Sequence, residues 1–112
     1  MVWQDARSGS TYDIYGARVA ADGAVLDGPT DTGGIAICTE AIHQVYPSVA
    51  WSGANYVVGW ADSRIAQYEY DIYAGRVSPA GSLLDGSGIP VAAMPPVINE
   101  WMPSFKLELP VF

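Results

Sequence analysis

His43 is the only histidine in the chain and Cys38 the only cysteine. One imidazole could serve a Ser-His-Asp arrangement, because such triads assemble in space rather than along the sequence. The patterns that usually accompany that chemistry are missing. The chain has no G-x-S-x-G elbow, no phosphate-cradling glycine loop and no His/Cys cluster at metal-ligand spacing. His43 lies between two matched segments described below and reads as a surface-loop residue. Cys38 lies in the strand-like "GIAICTE" with no adjacent base to activate it, so it reads as a small buried hydrophobe. A single cysteine also allows no intrachain disulfide. Paired carboxylates could act on glycosides, but the acidic residues sit mostly at turns. "AADGAVLDG" (20–28) and "DGPTDTGG" (27–34) place Asp22, Asp27 and Asp31 beside glycines, and calcium takes oxygen ligands from such loops. Their spacing fits no complete EF-hand loop, and Asp-Gly is an ordinary turn pair. The reading assigns no catalytic residue, no metal and no cofactor, and expects a non-enzyme.

Binding chemistry is better represented. Trp3, Tyr12, Tyr15, Trp51, Trp60, Tyr68, Tyr70, Tyr73 and Trp101 offer aromatic faces of the kind that stack on sugar rings. Trp3, Tyr15, Trp60 and Tyr73 recur at matched strand positions, which favours a core role. Tyr68 lies in "IAQYEY", an insertion with no counterpart earlier in the chain. With Glu69 and Tyr70 it is the best ligand-contact candidate, because loops on rigid scaffolds carry function. A charged set also occurs twice: Asp5, Arg7, Asp13 and Arg18, then Asp62, Arg64, Asp71 and Arg76. Arg7 and Arg64 are kept as ligand-binding candidates. The recurrence favours structural work for the set as a whole, with Asp and Arg pairing at strand ends to fix the shared geometry.

These residues are placed by an internal repeat. "VWQDAR" (2–7) matches "GWADSR" (59–64), "YDIYGARV" (12–19) matches "YDIYAGRV" (70–77), and "DGAVLDG" (22–28) matches "AGSLLDG" (80–86). "GIAI" (34–37) matches "GIPV" (88–91), and "VYPSV" (45–49) matches "WMPSF" (101–105). Within the second copy, "SVAW" (48–51), "YVVGWAD" (56–62), "DIYAGRV" (71–77) and "GIPVAA" (88–93) read as four strands separated by turn residues. Pro90 suggests an edge position for the last. No segment reads as a convincing helix; "CTEAIHQVY" (38–46) is the only candidate, and the copy containing "MPPVINEW" has two prolines there. In the second strand Tyr56, Val58, Trp60, Asp62 and Arg64 share one face, and Val57, Gly59, Ala61 and Ser63 the other. One face is bulky and the other small, so stacked copies could bury both.

The pattern "VVGWADSR…YDIYAGRVSPAGSLLD…GIPVA…PS" resembles a repeat of roughly fifty residues, found in long bacterial secreted and cell-surface proteins and generally read as a β-propeller blade. The resemblance spans Val2 to about Phe105 and carries no common catalytic motif. It implies an all-β fold of antiparallel, four-stranded, propeller-blade-like repeats, about two per chain, in a secreted or cell-surface setting. No signal peptide opens this sequence, because Asp5 and Arg7 interrupt it at once. The expected layout is one domain over 1–112: an incomplete repeat at 1–46, a complete one at 47–102, and a further strand at 103–112. Two blades cannot close a ring of about four to eight, so completion by homo-oligomerisation is expected. The net charge of −7 disfavours nucleic acid, and no apolar run is long enough to span a membrane. The expected function is a binding module for a protein or glycan partner. A small hydrolase with its site between subunits, with glycosides as one candidate substrate class, and a purely structural repeat fragment are the alternatives.

Overall fold

The structure, a computed structural model, describes residues 1–93. It is all-β, with no helix among the described residues. Strands β1 (Val2–Asp5), β2 (Asp13–Gly16) and β3 (Ile35–Cys38) form one sheet in that order. Strands β4 (Gln44–Trp51), β5 (Tyr56–Ala66), β6 (Glu69–Val77) and β7 (Ile89–Ala93) form a second. Every neighbouring pair is antiparallel and consecutive in sequence. The strands are rich in Val, Ile, Tyr and Trp, whose branched or flat side chains pack well on a pleated surface.

The two sheets use the same register. Trp3 faces Tyr15 as Trp60 faces Tyr73, and Asp5 faces Asp13 as Asp62 faces Asp71. Tyr15 pairs with Ala36 as Tyr73 pairs with Pro90, and the next step slips by one residue in both sheets. The loops after β2 and β6 also match. Ala20 N–H donates to the Ala24 carbonyl at 2.8 Å, and Ser78 N–H to the Ser82 carbonyl at 2.8 Å.

The core forms where the sheets meet. Ile14, Ile37 and Cys38 from the first sheet pack with Val58, Trp60, Tyr73 and Val77 from the second. Val2, Ile35 and Tyr56 close in around them. Burying side chains of this size contributes about 1.5–3 kcal/mol each, enough to make the sheet–sheet contact the main stabilising surface.

The segment 38–46 holds no helix, as expected; it is the end of β3, a turn and the start of β4. The structure differs from the sequence reading in two places. β4 begins at Gln44, so the expected repeat boundary after residue 46 falls inside a strand. The cause is an irregularity between Val45 and Ser48, where Tyr46 takes φ +54° and Pro47 carries no N–H, and the strand continues beyond it. β5 and β6 also run past the expected ends, to Ala66 and from Glu69. Pro47 and Pro90 sit on β4 and β7, the two outer strands of the second sheet among the described residues, where proline is best tolerated. Trp101 and the expected strand 103–112 lie outside the described residues.

Gly88 shows how tightly one corner is filled. It has φ +99°, and a Cβ there would come within 2.6 Å of the Trp60 ring. Gly53 has the same φ with nothing within 4 Å of that position. Gly53→Ala is expected to cost about 1–2 kcal/mol from backbone conformation alone. Gly88→Ala should cost at least about 1 kcal/mol more through overpacking. Urea unfolding of the two variants measures the difference; equal costs would contradict the packing.

Candidate functional site

The recurring charged residues form two kinds of clamp. In the first, one aspartate ties a tryptophan to an arginine two residues on. Trp60 Nε1–H donates to Asp62 Oδ2 at 2.8 Å, and the Arg64 backbone N–H to Oδ1 at 2.8 Å. Arg64 Nε and Nη2 complete a two-pronged pair at 3.0 and 2.8 Å. The guanidinium also donates to the Ser87 carbonyl at 2.8 Å and lies 4.0 Å from the centre of the Tyr73 ring. The first sheet holds the same clamp. Trp3 Nε1–H and Arg7 both donate to Asp5, Arg7 reaches the Gly33 carbonyl at 2.9 Å, and its guanidinium lies 3.8 Å from the Tyr15 centre. Arg7 and Arg64 therefore spend most of their donors inside the fold. Little is left for a ligand at either position.

The second clamp spans the loops. Arg18 donates through its backbone N–H and Nε to Asp27 Oδ2, and through Nη2 to Oδ1, at 2.7–2.9 Å. Arg76 does the same to Asp85 at 2.8–2.9 Å. The sequence alone marks Asp27 as a candidate calcium ligand and gives Asp85 no role. The signal was present as "LDG" at 26–28 and 84–86. Asp22 accepts a turn N–H from Ala24, and no group of three or more His, Cys, Asp or Glu converges among the described residues. The arginine partners hold these aspartates below the usual carboxylate range: Asp5 by hydrogen bonds from Arg7, Asp27 by Arg18 to about 2, and Asp85 by Arg76. Asp13 goes the other way, raised by burial and then by the nearby Asp5 charge.

His43 and Cys38 are each engaged within the fold. The Tyr12 N–H donates to His43 Nδ1 at 3.2 Å, and the two rings sit 5.8 Å apart. Ser63 Oγ lies near His43 but donates to its backbone carbonyl, not to the ring. No serine, threonine or cysteine hydrogen-bonds the imidazole among the described residues. Cys38 is buried, and that burial pushes its thiol up to about 11. Its Sγ accepts from Arg64 Nη2 at 3.3 Å. A thiol in this state is inert at neutral pH.

What stays free is the tip of the β5–β6 hairpin. Ala66 pairs with Glu69, so Gln67 and Tyr68 alone make the turn. Tyr68 adopts φ +68°, a conformation a tyrosine enters at a cost, and its side chain is exposed. Ile65 and Glu69 are exposed beside it, and Tyr70 is half-buried at the base. The loop joining β1 to β2 has no such extension. Among the described residues, the other two non-glycine residues with positive φ, Ile42 and Tyr46, flank His43 and the start of β4. Gln44 is fully buried there, and its Oε1 is the one buried side-chain atom without a partner among the described residues. Backbone strain of this kind tends to gather at functional surfaces.

No protein-family model, curated protein or solved structure matches the chain.

Two measurements follow from the clamps. Asp5, Asp27 and Asp85 have depressed folded-state values, so their contribution is present above the unfolded value of about 4 and is lost as pH falls through the folded values, near 2 for Asp27. Asp13 has a raised value and opposes the trend with one group against three. Stability in urea should therefore drop between about pH 4 and pH 2, and Asp27→Asn should flatten that drop. A flat profile in the parent chain would contradict the pairing. Cys38 should react with an aromatic disulfide reagent only once denaturant is added; fast native labelling at pH 8 would contradict its burial.

Proposed function

We propose that this chain is a non-catalytic binding module of propeller-blade-like units, recognising a protein or glycan partner through the β5–β6 hairpin tip. The matched registers, the consecutive four-strand order of the second sheet and the face-to-face packing support the blade reading. The observation that carries the binding reading is Tyr68. It holds a strained backbone at the tip of a two-residue turn, and it presents an exposed ring. A glycine or asparagine would make this turn at lower cost. An aromatic ring with a neighbouring carboxylate suits a sugar ring or an aromatic-rich peptide surface, where tyrosine often anchors contacts.

Binding is tested on a glycan array and against candidate extracellular proteins, comparing the parent chain with Tyr68→Ala and Tyr68→Asn. Both variants are expected to lose binding by at least about tenfold, the scale for an anchor worth more than 1 kcal/mol. Tyr68→Asn should meanwhile melt higher, by relief of about 1 kcal/mol of backbone strain. Binding that survives both substitutions would remove the hairpin tip from the site. Turnover of glycoside or ester substrates by the parent chain would overturn the non-catalytic reading.

A further inference from the structure

Within the fold, an arginine is held twice in the same way. The Arg64 guanidinium pairs with Asp62 at 2.8 Å and lies 4.0 Å from the centre of the Tyr73 ring. The Arg7 guanidinium pairs with Asp5 at 2.8 Å and lies 3.8 Å from the centre of the Tyr15 ring. A carboxylate takes the N–H edge, and a tyrosine takes the flat face. The pairing suits arginine in particular, because its planar guanidinium can bond along its edge and stack on its face at once.

The tip of the β5–β6 hairpin presents the same two groups without the cation. Tyr68 is 75% exposed, and the neighbouring Glu69 is exposed. No arginine among the described residues lies over the Tyr68 ring or pairs with Glu69. The described segment holds four arginines and no lysine, and each arginine is tied to its own aspartate. Glu40 and Asp71 have no such partner there either. Asp71 lies on β6 below the tip, and Glu40 lies in the connection to β4, which the Ser63 N–H holds beside the hairpin base through the His43 carbonyl at 2.8 Å. The tip is thus rich in acceptors and poor in donors. Ile65, 73% exposed and one residue before the Ala66–Glu69 pair, adds branched apolar surface. Sugar hydroxyls call for donors as well as acceptors and gain little from such a side chain. A protein surface with a cation beside an apolar residue uses all three groups.

We propose that the hairpin tip receives an arginine of a partner protein, with the guanidinium face on the Tyr68 ring, its edge on the Glu69 carboxylate, and an adjoining apolar residue of the partner against Ile65. The tip then does across an interface what Asp62 and Tyr73 do for Arg64 inside the fold. This rests on the hairpin reading given above and narrows its partner from a protein or glycan to a basic protein surface. The net charge of −7 draws such a surface in and speeds encounter.

A random peptide library displayed on phage and panned on the parent chain tests the proposal. Enriched peptides are expected to carry arginine beside an apolar residue. Resynthesised with that arginine replaced by glutamine, they should bind at least about tenfold more weakly, the scale of an anchoring residue. Tyr68→Ala should cost at least about tenfold, whereas Tyr68→Phe keeps the ring and should stay within about twofold. Glu69→Gln should cost about three- to fivefold, as an exposed ion pair does, and raising salt from about 0.1 to about 1 M should weaken binding. These side chains are exposed, so every variant should keep the parent's cooperative unfolding transition. No enrichment, enriched peptides without arginine, or binding indifferent to Glu69→Gln overturns the proposal. Glycan binding that is lost in Tyr68→Ala, with no peptide enriched, overturns the arginine site and leaves the hairpin reading standing. Peptide binding that survives Tyr68→Ala overturns both.

Discussion

Asp62 is a buried carboxylate at the centre of the molecule, and a charge in that position costs several kcal/mol unless its oxygens are fully bonded. Here they are. The indole N–H of Trp60, the backbone N–H of Arg64 and two edges of the Arg64 guanidinium all converge on it. The charge is neutralised, and the largest side chain in the core is fixed in one orientation. The same guanidinium lies over Tyr73, so one ionic contact orders two aromatic rings. Those rings make the relief into which Ile14 and Ile37 fit. Arg64 also touches Cys38 of the first sheet, which carries the clamp across the sheet–sheet boundary. A neutral or shorter residue at 62 would leave an indole and a guanidinium seeking partners in an apolar interior.

This arrangement divides the work between frame and tip. The frame uses its arginines internally, each of Arg7, Arg18, Arg64 and Arg76 pairing with an aspartate. The hairpin extends beyond the last clamp and contributes nothing to the core, which frees its residues to be chosen for something other than stability. Strain at Tyr68 is affordable because β5 and β6 are long and pair on both sides of the turn.

Much of this was legible in the residues. Period-two alternation separated Trp60 and Val58 from Gly59 and Ala61, and the recurrence of Trp, Asp and Arg pointed to shared structural work. The four strands of the second sheet were visible between turn residues, though not their ends. Tyr68 hid the two-residue turn because tyrosine is not a turn former, so "IAQYEY" read as a loop. Tyr46 and Pro47 hid the start of β4, since an irregular strand has no steady alternation. Asp27 and Asp85 were overlooked as arginine partners because nine residues separate each pair, and Asp-Gly reads first as a turn. Which face of each sheet is covered depends on how the sheets stack, and that contact is made between residues far apart in the chain.

Within each sheet the strand order is the order of the chain, and each strand after the first is bonded to the one before it. Loop-closure entropy is then small for each pairing, and zippering can proceed strand by strand. Only the contact between the sheets joins distant segments. During synthesis the first sheet can form while the second is still being made, with Ile14 and Ile37 waiting in water. The vulnerable moment in the life of this molecule is that interval, when an apolar surface exists and its cover does not.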